Sequence, residues 1–288
     1  RLSTIEGLNV DSSHADSSAG HDSDESQRDT VLVVDFGAQY AQLIARRVRE
    51  LHVFSEIVKH SITSDEIAAK QPSAIILSGG PASVNIEGTP RLDPAIYELG
   101  VPIFGICYGA QLIAAQLGGT VGRGMAGEYG RAHLTRTADS SVLHTDIPDE
   151  HDVWMSHFDA ITEPPPGFRA TASTKDSPVA VLENDQRRIW GVQFHPEVVH
   201  SPYGMAVLRT FLHDLAGCDP SWRMASVVDE QVAKIRAQVG DRRAICALSG
   251  GVDSSVAAAL VHKAIGHQLT CIYVDTGLMR KDESAQII

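Results

Sequence analysis

Apolar residues are spaced in two different ways along this chain, and the spacing changes near residue 118. Between residues 31 and 117, short β-branched runs alternate with stretches in which apolar residues recur every three or four positions. The runs predict buried strands and the stretches predict amphipathic helices. From 119 to 200 short apolar runs are separated by turn residues, which predicts antiparallel strands. The two patterns together predict an α/β domain with a mixed sheet and a helix over 205–215 that closes it.

A second strand–helix–strand pattern follows this domain. Residues 244–248 and 270–275 are predicted strands, and a helix is predicted between them over 256–265. One such unit is too small to bury a core by itself, so we expect it to begin a larger domain. The chain is therefore divided into a tail (1–29), an α/β domain (30–217) and an incomplete second domain (218–288).

Composition narrows the class of protein. The first 29 residues are rich in Ser, Asp and His without an apolar run, which predicts a disordered acidic tail rather than a secretory signal. A net charge of −12 over 288 residues argues against nucleic-acid binding through a basic surface. No apolar run reaches the roughly 18 residues of a membrane span. Four widely spaced cysteines indicate neither a disulfide framework nor a zinc site, and they suit a reducing cytoplasm.

A candidate nucleophile lies at the turn between a predicted strand and a predicted helix. Gly105-Ile106-Cys107-Tyr108-Gly109 has the spacing G-x-nucleophile-x-G, in which glycines let two backbone segments approach around a strained central residue. The turn would hold the Cys107 thiol at the positive N-terminus of a helix, where the thiolate is favoured. The alternative is a buried structural cysteine between two packing glycines.

A candidate base and an orienting acid end a later apolar run. A cysteine nucleophile needs a base, and His195 could take its proton and pass it to a leaving amine. Glu197 lies two residues on, on the same face of an extended chain, and could hold the imidazole. The alternatives are a capped histidine at a strand end and a surface acid.

A glycine-rich turn follows another predicted strand. Ser78-Gly79-Gly80 would face Cys107, because the carboxyl ends of parallel strands meet at one edge of the sheet. The backbone N–H groups of Gly80 and Tyr108 could then form an oxyanion hole.

These motifs resemble those of the class I, triad-type glutamine amidotransferases, over roughly residues 30 to 217 and in that family's order. The resemblance implies a flavodoxin-like domain in which Cys107 attacks the side-chain amide of glutamine, with His195 as base and Glu197 as its partner. It also implies that the oxyanion and glutamine are bound by Gly79, Gly80, Tyr108, Gln111, Ser156 and His157. Glu128, in the glycine-rich segment 122–130, has no role in this interpretation. The alternatives are a stand-alone glutaminase or γ-glutamyl hydrolase of the same fold, and a binding module with an inactive site.

A second motif, residues 249–255, lies between the predicted strand and the predicted helix of the second unit. Its glycines would expose backbone N–H groups at a helix N-terminus, which favours phosphate, although the spacing is not that of a Walker A loop. The stretch resembles the phosphate loop of the Rossmann-like ATP pyrophosphatase domains of synthetases, and 273–278 resembles their second strand end. The resemblance implies ATP and Mg²⁺, with Asp253 as the metal-binding residue, and no tightly bound organic cofactor. The implied ATP-binding residues are Ser249, Gly250, Gly251, Val252, Asp253, Ser254 and Ser255.

The order of the two units is similar to that in glutamine-dependent ligases that aminate xanthosine monophosphate (XMP) to GMP and release AMP and pyrophosphate. This similarity implies glutamine, ATP and XMP as substrates and a cytoplasmic enzyme. It also implies a homodimer formed through a C-terminal region that nothing in this sequence matches. Because the chain does not begin with Met and ends without a closing signal, we expect it to be incomplete at both ends.

Overall fold

The computed structural model describes residues 2–5, 28–37, 40–138, 141–249 and 251–274. These residues form two compact units, one over 28–222 and one of 2–5 with 223–274. The strands are β1 (Leu2–Ile5), β2 (Thr30–Asp35), β3 (Phe54–Lys59), β4 (Ala74–Leu77), β5 (Ile103–Ile106), β6 (Thr120–Arg136), β7 (Glu150–Glu163), β8 (Arg169–Ser173), β9 (Val181–Asn184), β10 (Ile189–Val192), β11 (Ala244–Leu248) and β12 (Leu269–Val274). The helices are α1 (Ala41–Glu50), α2 (Ser64–Lys70), α3 (Tyr108–Gln116), α4 (Gly204–Arg209), α5 (Met224–Val239) and α6 (Val252–Ile265).

A single mixed sheet runs through the first unit in the described part of the chain. Its strand order is β3-β2-β4-β5-β10-β9-β8-β6-β7. The pairs from β3 to β10 are parallel, and those from β10 to β7 are antiparallel. The predicted mixed α/β sheet is therefore confirmed, and the direction changes at β10.

The parallel strands are buried on both faces, which is why they are continuous apolar runs. Along β2, Val31 and Val33 contribute to the core on one face with Ile44 and Val48 of α1. The alternate residues Leu32 and Val34 contribute to the core on the other face, together with residues of α2 and α3. Seven consecutive residues of α3, 108–114, are buried, so this helix is enclosed rather than amphipathic.

A local sequence signal sets the start of α2. Thr63 caps α2: its Oγ1 accepts a hydrogen bond from the Glu66 backbone N–H at 3.2 Å, and the Glu66 carboxylate accepts one from the Thr63 N–H at 2.8 Å. This reciprocal capping box is worth roughly 1 kcal/mol. Residues Pro94–Glu98 form a 3₁₀ helix. The predicted helix over 205–215 consists of α4 followed by a π-helical segment, Thr210–Leu215.

Six residues of the predicted tail, 2–5, 28 and 29, belong to the described part of the chain. Residues 2–5 form β1, which gains backbone hydrogen-bond partners by pairing antiparallel with β12. Arg28 and Asp29 belong to the first unit. The Asp29 carboxylate accepts hydrogen bonds from Ser73 Oγ at 2.5 Å and from the backbone N–H of Asp219 at 2.7 Å. Residues 6–27 lie outside the described residues.

The second unit is a three-stranded sheet, β1-β12-β11, with a small core that includes Val232, Ala264 and Ile265. Its α6 begins at Val252, four residues earlier than predicted. The first unit extends to Trp222, whose N–H donates to the His52 carbonyl at 2.9 Å. Among the described residues, no helix is both long enough and apolar enough to cross a membrane.

The close packing of α3 against β4 gives a prediction for Gly109. A Cβ at Gly109 would lie 2.4 Å from the Leu77 carbonyl oxygen. Overpacking of this kind costs about 1–3 kcal/mol, so Gly109→Ala should lower the free energy of unfolding by about 2 kcal/mol in a denaturant titration. Gly122→Ala is the matched control, since its Cβ would meet nothing closer than Thr162 at 3.5 Å. Equal stability of Gly109→Ala and the wild type would contradict the packing.

Candidate active site

Cys107 lies in a strained turn between β5 and α3. Its φ of +50° is in the left-handed region, which L-residues with a side chain adopt only at a cost. Its backbone N–H donates to the Val192 carbonyl at 2.8 Å. A Cβ at Gly105 would lie 2.7 Å from the Ala110 nitrogen, so the first glycine of the motif allows α3 to approach the strand. The local geometry is that of the predicted elbow.

A cavity of about 990 Å³ opens beside the elbow. Cys107 lines it, as do six of the other residues that the resemblance implied: Gly80, Tyr108, Gln111, Ser156, His157 and His195. Gly79, which precedes Gly80 in the chain, is not among the described residues that line the cavity. Side chains from distant parts of the sequence therefore converge on one space.

His195 and Glu197 form a buried pair next to the thiol. Nδ1 of His195 lies 2.8 Å from Oε1 of Glu197. Burial works against the charged imidazolium, but hydrogen bonds to Cys107 and Glu197 and their negative charges outweigh it and raise the pKa of His195 to about 10. At neutral pH the protonated imidazole is therefore the favoured form beside the thiol.

Two neighbouring elements clamp the segment that carries this pair. The His195 N–H donates to the Trp154 carbonyl of β7 at 2.9 Å. Ser201 Oγ donates to the His195 carbonyl at 2.7 Å and accepts from the Trp154 N–H at 3.0 Å. A Cβ at Gly204, the first residue of α4, would lie 2.0 Å from the Pro196 oxygen, so only glycine allows this approach.

Residues 156–159 of β7 form one wall of the cavity and contact the elbow helix. Gln111 Nε2 donates to the Asp159 carbonyl at 2.6 Å, and Cys107 Sγ lies 3.7 Å from the Ser156 carbonyl oxygen. Gln111 therefore lines the cavity and also contacts its wall directly.

Sequence reasoning missed two residues at the thiol and the imidazole. Gln193 Nε2 lies 3.9 Å from Cys107 Sγ, and the Tyr40 ring packs edge-on against the His195 ring with 5.3 Å between centroids. Gln193 precedes His195 by two residues, so the same alternation that paired His195 with Glu197 could have indicated it. Tyr40 carried no such signal.

The predicted phosphate loop lies in the second unit, at the end of β11. Ser254 and Ser255 hydroxyls donate to the Gly251 carbonyl at 2.9 and 3.1 Å, in the first turn of α6. Ser249 Oγ lies 3.1 Å from Ser254 Oγ. Val252 and Asp253 begin the helix, while Gly250 and 275–278 lie outside the described residues. The described part of the chain contains no group of three or more His, Cys, Asp or Glu side chains that could hold a metal ion.

Comparison with known families identifies the first unit. The family model for glutamine amidotransferase class-I matches residues 32–215, more than half of the chain. The chain belongs to this family. A second model, the tRNA methyl transferase HUP domain, matches residues 242–286, which is consistent with the predicted Rossmann-like start of the second domain.

Individual class-I relatives extend over both units. The glutamine-hydrolysing GMP synthase of Streptomyces coelicolor is 62% identical over 259 residues, which are 90% of this chain and 49% of that protein. The enzyme of the same name from Mycobacterium leprae is 56% identical over 270 residues, 94% of this chain and 51% of that protein. The chain thus spans about half the length of these relatives.

Solved structures of this class resemble the first unit. A Thermoplasma acidophilum protein described as one subunit of a GMP synthase is 31% identical with a TM-score of 0.59, covering 71% of this chain and 98% of that protein. A glutamine amidotransferase of Thermotoga maritima has a TM-score of 0.51 at 18% identity, covering 66% of this chain and 98% of that one, and supports the fold alone.

The paired environment of His195 predicts how it titrates. Its pKa is about 10 in the folded chain and about 6.5 in the unfolded chain. The associated stability is therefore complete below about pH 6.5 and is lost as the pH rises toward 10. In ¹⁵N-labelled protein at pH 8, NMR should show His195 protonated on both ring nitrogens, and Glu197→Gln should lower its pKa. Titration of His195 near pH 6.5 in the wild type would contradict the described pairing.

Proposed function

We propose that the first unit hydrolyses glutamine to glutamate and ammonia, with Cys107 as nucleophile, His195 as base and Glu197 as the residue that orients the base. The observation that carries this proposal is that Cys107 and His195 line one cavity, while the buried His195 is hydrogen-bonded to Glu197 at 2.8 Å and its pKa is raised by both neighbours. A cysteine nucleophile requires such a base and such an orienting group.

In the proposed reaction the Cys107 thiolate attacks the side-chain amide carbon of glutamine. The C–S bond forms, His195 gives its proton to the nitrogen, and the C–N bond breaks to release ammonia and leave a glutamyl thioester. Water then adds to the thioester while His195 takes a proton from it. Glutamate leaves, and the Cys107 thiolate and the His195 imidazolium are regenerated together.

Backbone donors near the elbow would stabilise the oxyanion. Gly80 and Tyr108 both line the cavity, and their N–H groups are the proposed donors. Gly79 would act through the turn that carries Gly80. Gln111, Ser156 and His157 would hold the rest of the glutamine molecule, since all three line the same cavity.

We further propose that the complete protein is a C–N ligase, a glutamine-hydrolysing GMP synthase that uses ammonia and ATP to aminate XMP and releases AMP and pyrophosphate. The names of relatives 62% and 56% identical to this chain support this, as does the match of 242–286 to a HUP domain. These matches extend past residue 217, so they do not favour a stand-alone glutaminase or γ-glutamyl hydrolase.

The nucleotide part of this proposal rests on the end of β11. Residues 249–255 would bind the phosphates of ATP at the N-terminus of α6. Mg²⁺ is often coordinated by one protein carboxylate together with the phosphates of the substrate. Asp253 would supply that carboxylate. We also propose a homodimer and a cytoplasmic location, as the resemblance to these ligases implies.

Replacing the members of the proposed triad tests glutamine hydrolysis. Cys107→Ala should lower kcat for glutamate release by at least about a thousandfold, because no thioester can form, and His195→Ala should be nearly as damaging. Glu197→Ala should cost less, roughly a hundredfold, because it acts through His195. Circular dichroism would verify that each variant is folded. A folded Cys107→Ala protein with a wild-type rate, or a series in which Glu197→Ala is the slowest, would contradict these roles.

Replacing Asp253 tests the nucleotide site. In a protein with the complete synthetase part, Asp253→Ala should abolish GMP formation from XMP, ATP and free ammonia, because it removes the carboxylate that would hold Mg²⁺ beside the phosphates of ATP. Glutamine hydrolysis without nucleotide should keep its wild-type rate. The measurements are GMP by absorbance and glutamate by a coupled assay. Undiminished GMP formation from ammonia in this variant would exclude Asp253 from the site.

A further inference from the structure

A buried carboxylate lies behind the wall of the cavity, outside the proposed triad. Glu128 of β6 is 8% exposed. Its Oε1 accepts a hydrogen bond from Thr174 Oγ1 at 2.7 Å, and its Oε2 accepts one from Ser177 Oγ at 2.5 Å. Nε2 of His157 lies 3.4 Å from the same Oε2. Three elements therefore meet at this side chain: β6, β7 and the turn between β8 and β9.

The contact with His157 lies where the pairing of β6 with β7 is irregular. Arg123 pairs with Asp159 and Glu128 pairs with His157, so four residues of β6 stand opposite Phe158 alone. A bulge of this size removes regular backbone hydrogen bonds from the facing strand. The residues of β7 opposite the bulge are those that line the cavity. At the edge of the bulge, the Glu128 side chain contacts this segment where regular backbone pairing is missing.

The chemistry of the contact fixes how His157 is held. Burial alone would raise the pKa of Glu128, but hydrogen bonds from His157, Ser177 and Thr174 outweigh it and lower that pKa, so the carboxylate is ionised at neutral pH. An ionised carboxylate only accepts hydrogen bonds, so Nε2 of His157 must carry the hydrogen that faces it. Nδ1 of His157 is buried and has no hydrogen-bond partner in the described part of the chain.

We propose that Glu128 is a positioning residue for the glutamine pocket, which holds residues 156–159 in place through His157. This inference rests on the proposed glutamine hydrolysis. Gln111 and Cys107 contact the same wall through the Asp159 and Ser156 carbonyl groups. Glu128 holds the wall from the neighbouring strand β6. It contacts His157, which is the one residue among 156–159 whose side chain is buried. The wall thus has contacts to the elbow and to β6.

Steady-state kinetics of a Glu128 variant test this role. Glu128→Ala should raise KM for glutamine about tenfold and change kcat less than about threefold, because the pocket loosens while the triad stays intact. The rate at which iodoacetamide alkylates Cys107 should not change, since that small reagent does not depend on the pocket wall. Glu128→Gln keeps the shape but loses one acceptor oxygen, and an intermediate KM is expected.

A second buried carboxylate is the matched control. Glu183 is fully buried and accepts hydrogen bonds from Ser141 Oγ at 2.6 Å and Thr171 Oγ1 at 3.1 Å, but it does not line the cavity. Glu183→Gln should lower the melting temperature and leave KM unchanged. A wild-type KM in Glu128→Ala, or an equal rise of KM in Glu183→Gln, would overturn the positioning role.

Two further outcomes separate this inference from the proposed function. If Glu128→Ala does not fold, Glu128→Gln and Thr174→Val decide by the same comparison of KM with kcat, and two unchanged KM values would overturn the role. A folded wild-type chain without glutaminase activity would overturn the proposed function and this inference with it. A wild-type chain that is active alongside Glu128 variants with unchanged KM would overturn the inference alone.

Discussion

The close approach of α3 to two neighbouring strands is the constraint on which the candidate site depends. Gly105 of β5 and Gly191 of β10 are register partners, and Ala110 packs against this pair. A Cβ at Gly191 would lie 3.1 Å from that of Ala110, and one at Gly105 would clash with the helix backbone. Side chains at either position would lift the helix and move Cys107 away from the strand ends.

The same pair of strands explains why thiol and imidazole meet. Strands β5 and β10 run parallel and in register, with Ile106 opposite Val192. Cys107 follows the first of these strands directly, and His195 follows the second after two residues. Carboxyl ends of adjacent parallel strands lie at one edge of a sheet, where sites of open α/β folds form. Because burial disfavours an isolated charge, the His195 imidazolium depends on its two hydrogen-bonded neighbours.

The sequence was sufficient where the signal was local. Buried β-branched runs and the glycines around Cys107 predicted the parallel strands and the elbow. Signals that depend on distant partners were missed. The bulge opposite Phe158 and the hydrogen bonds of Glu128 become visible only when β6 pairs with β7. Likewise, β1 is a strand because it pairs with the edge strand β12. The composition of residues 2–5 alone does not indicate this pairing.

Labelling with a glutamine-shaped electrophile tests the central claim most directly. The diazoketone analogue of glutamine should alkylate Cys107, since binding in the cavity brings its reactive carbon to the thiolate, and excess glutamine should protect. Peptide mass spectrometry would locate the adduct, with Cys218, Cys246 and Cys271 as internal references. Modification of Cys107 alone, prevented by glutamine, is the predicted result. An unmodified Cys107, or equal labelling of all four cysteines with no protection, would contradict a glutamine-specific thiol at the elbow.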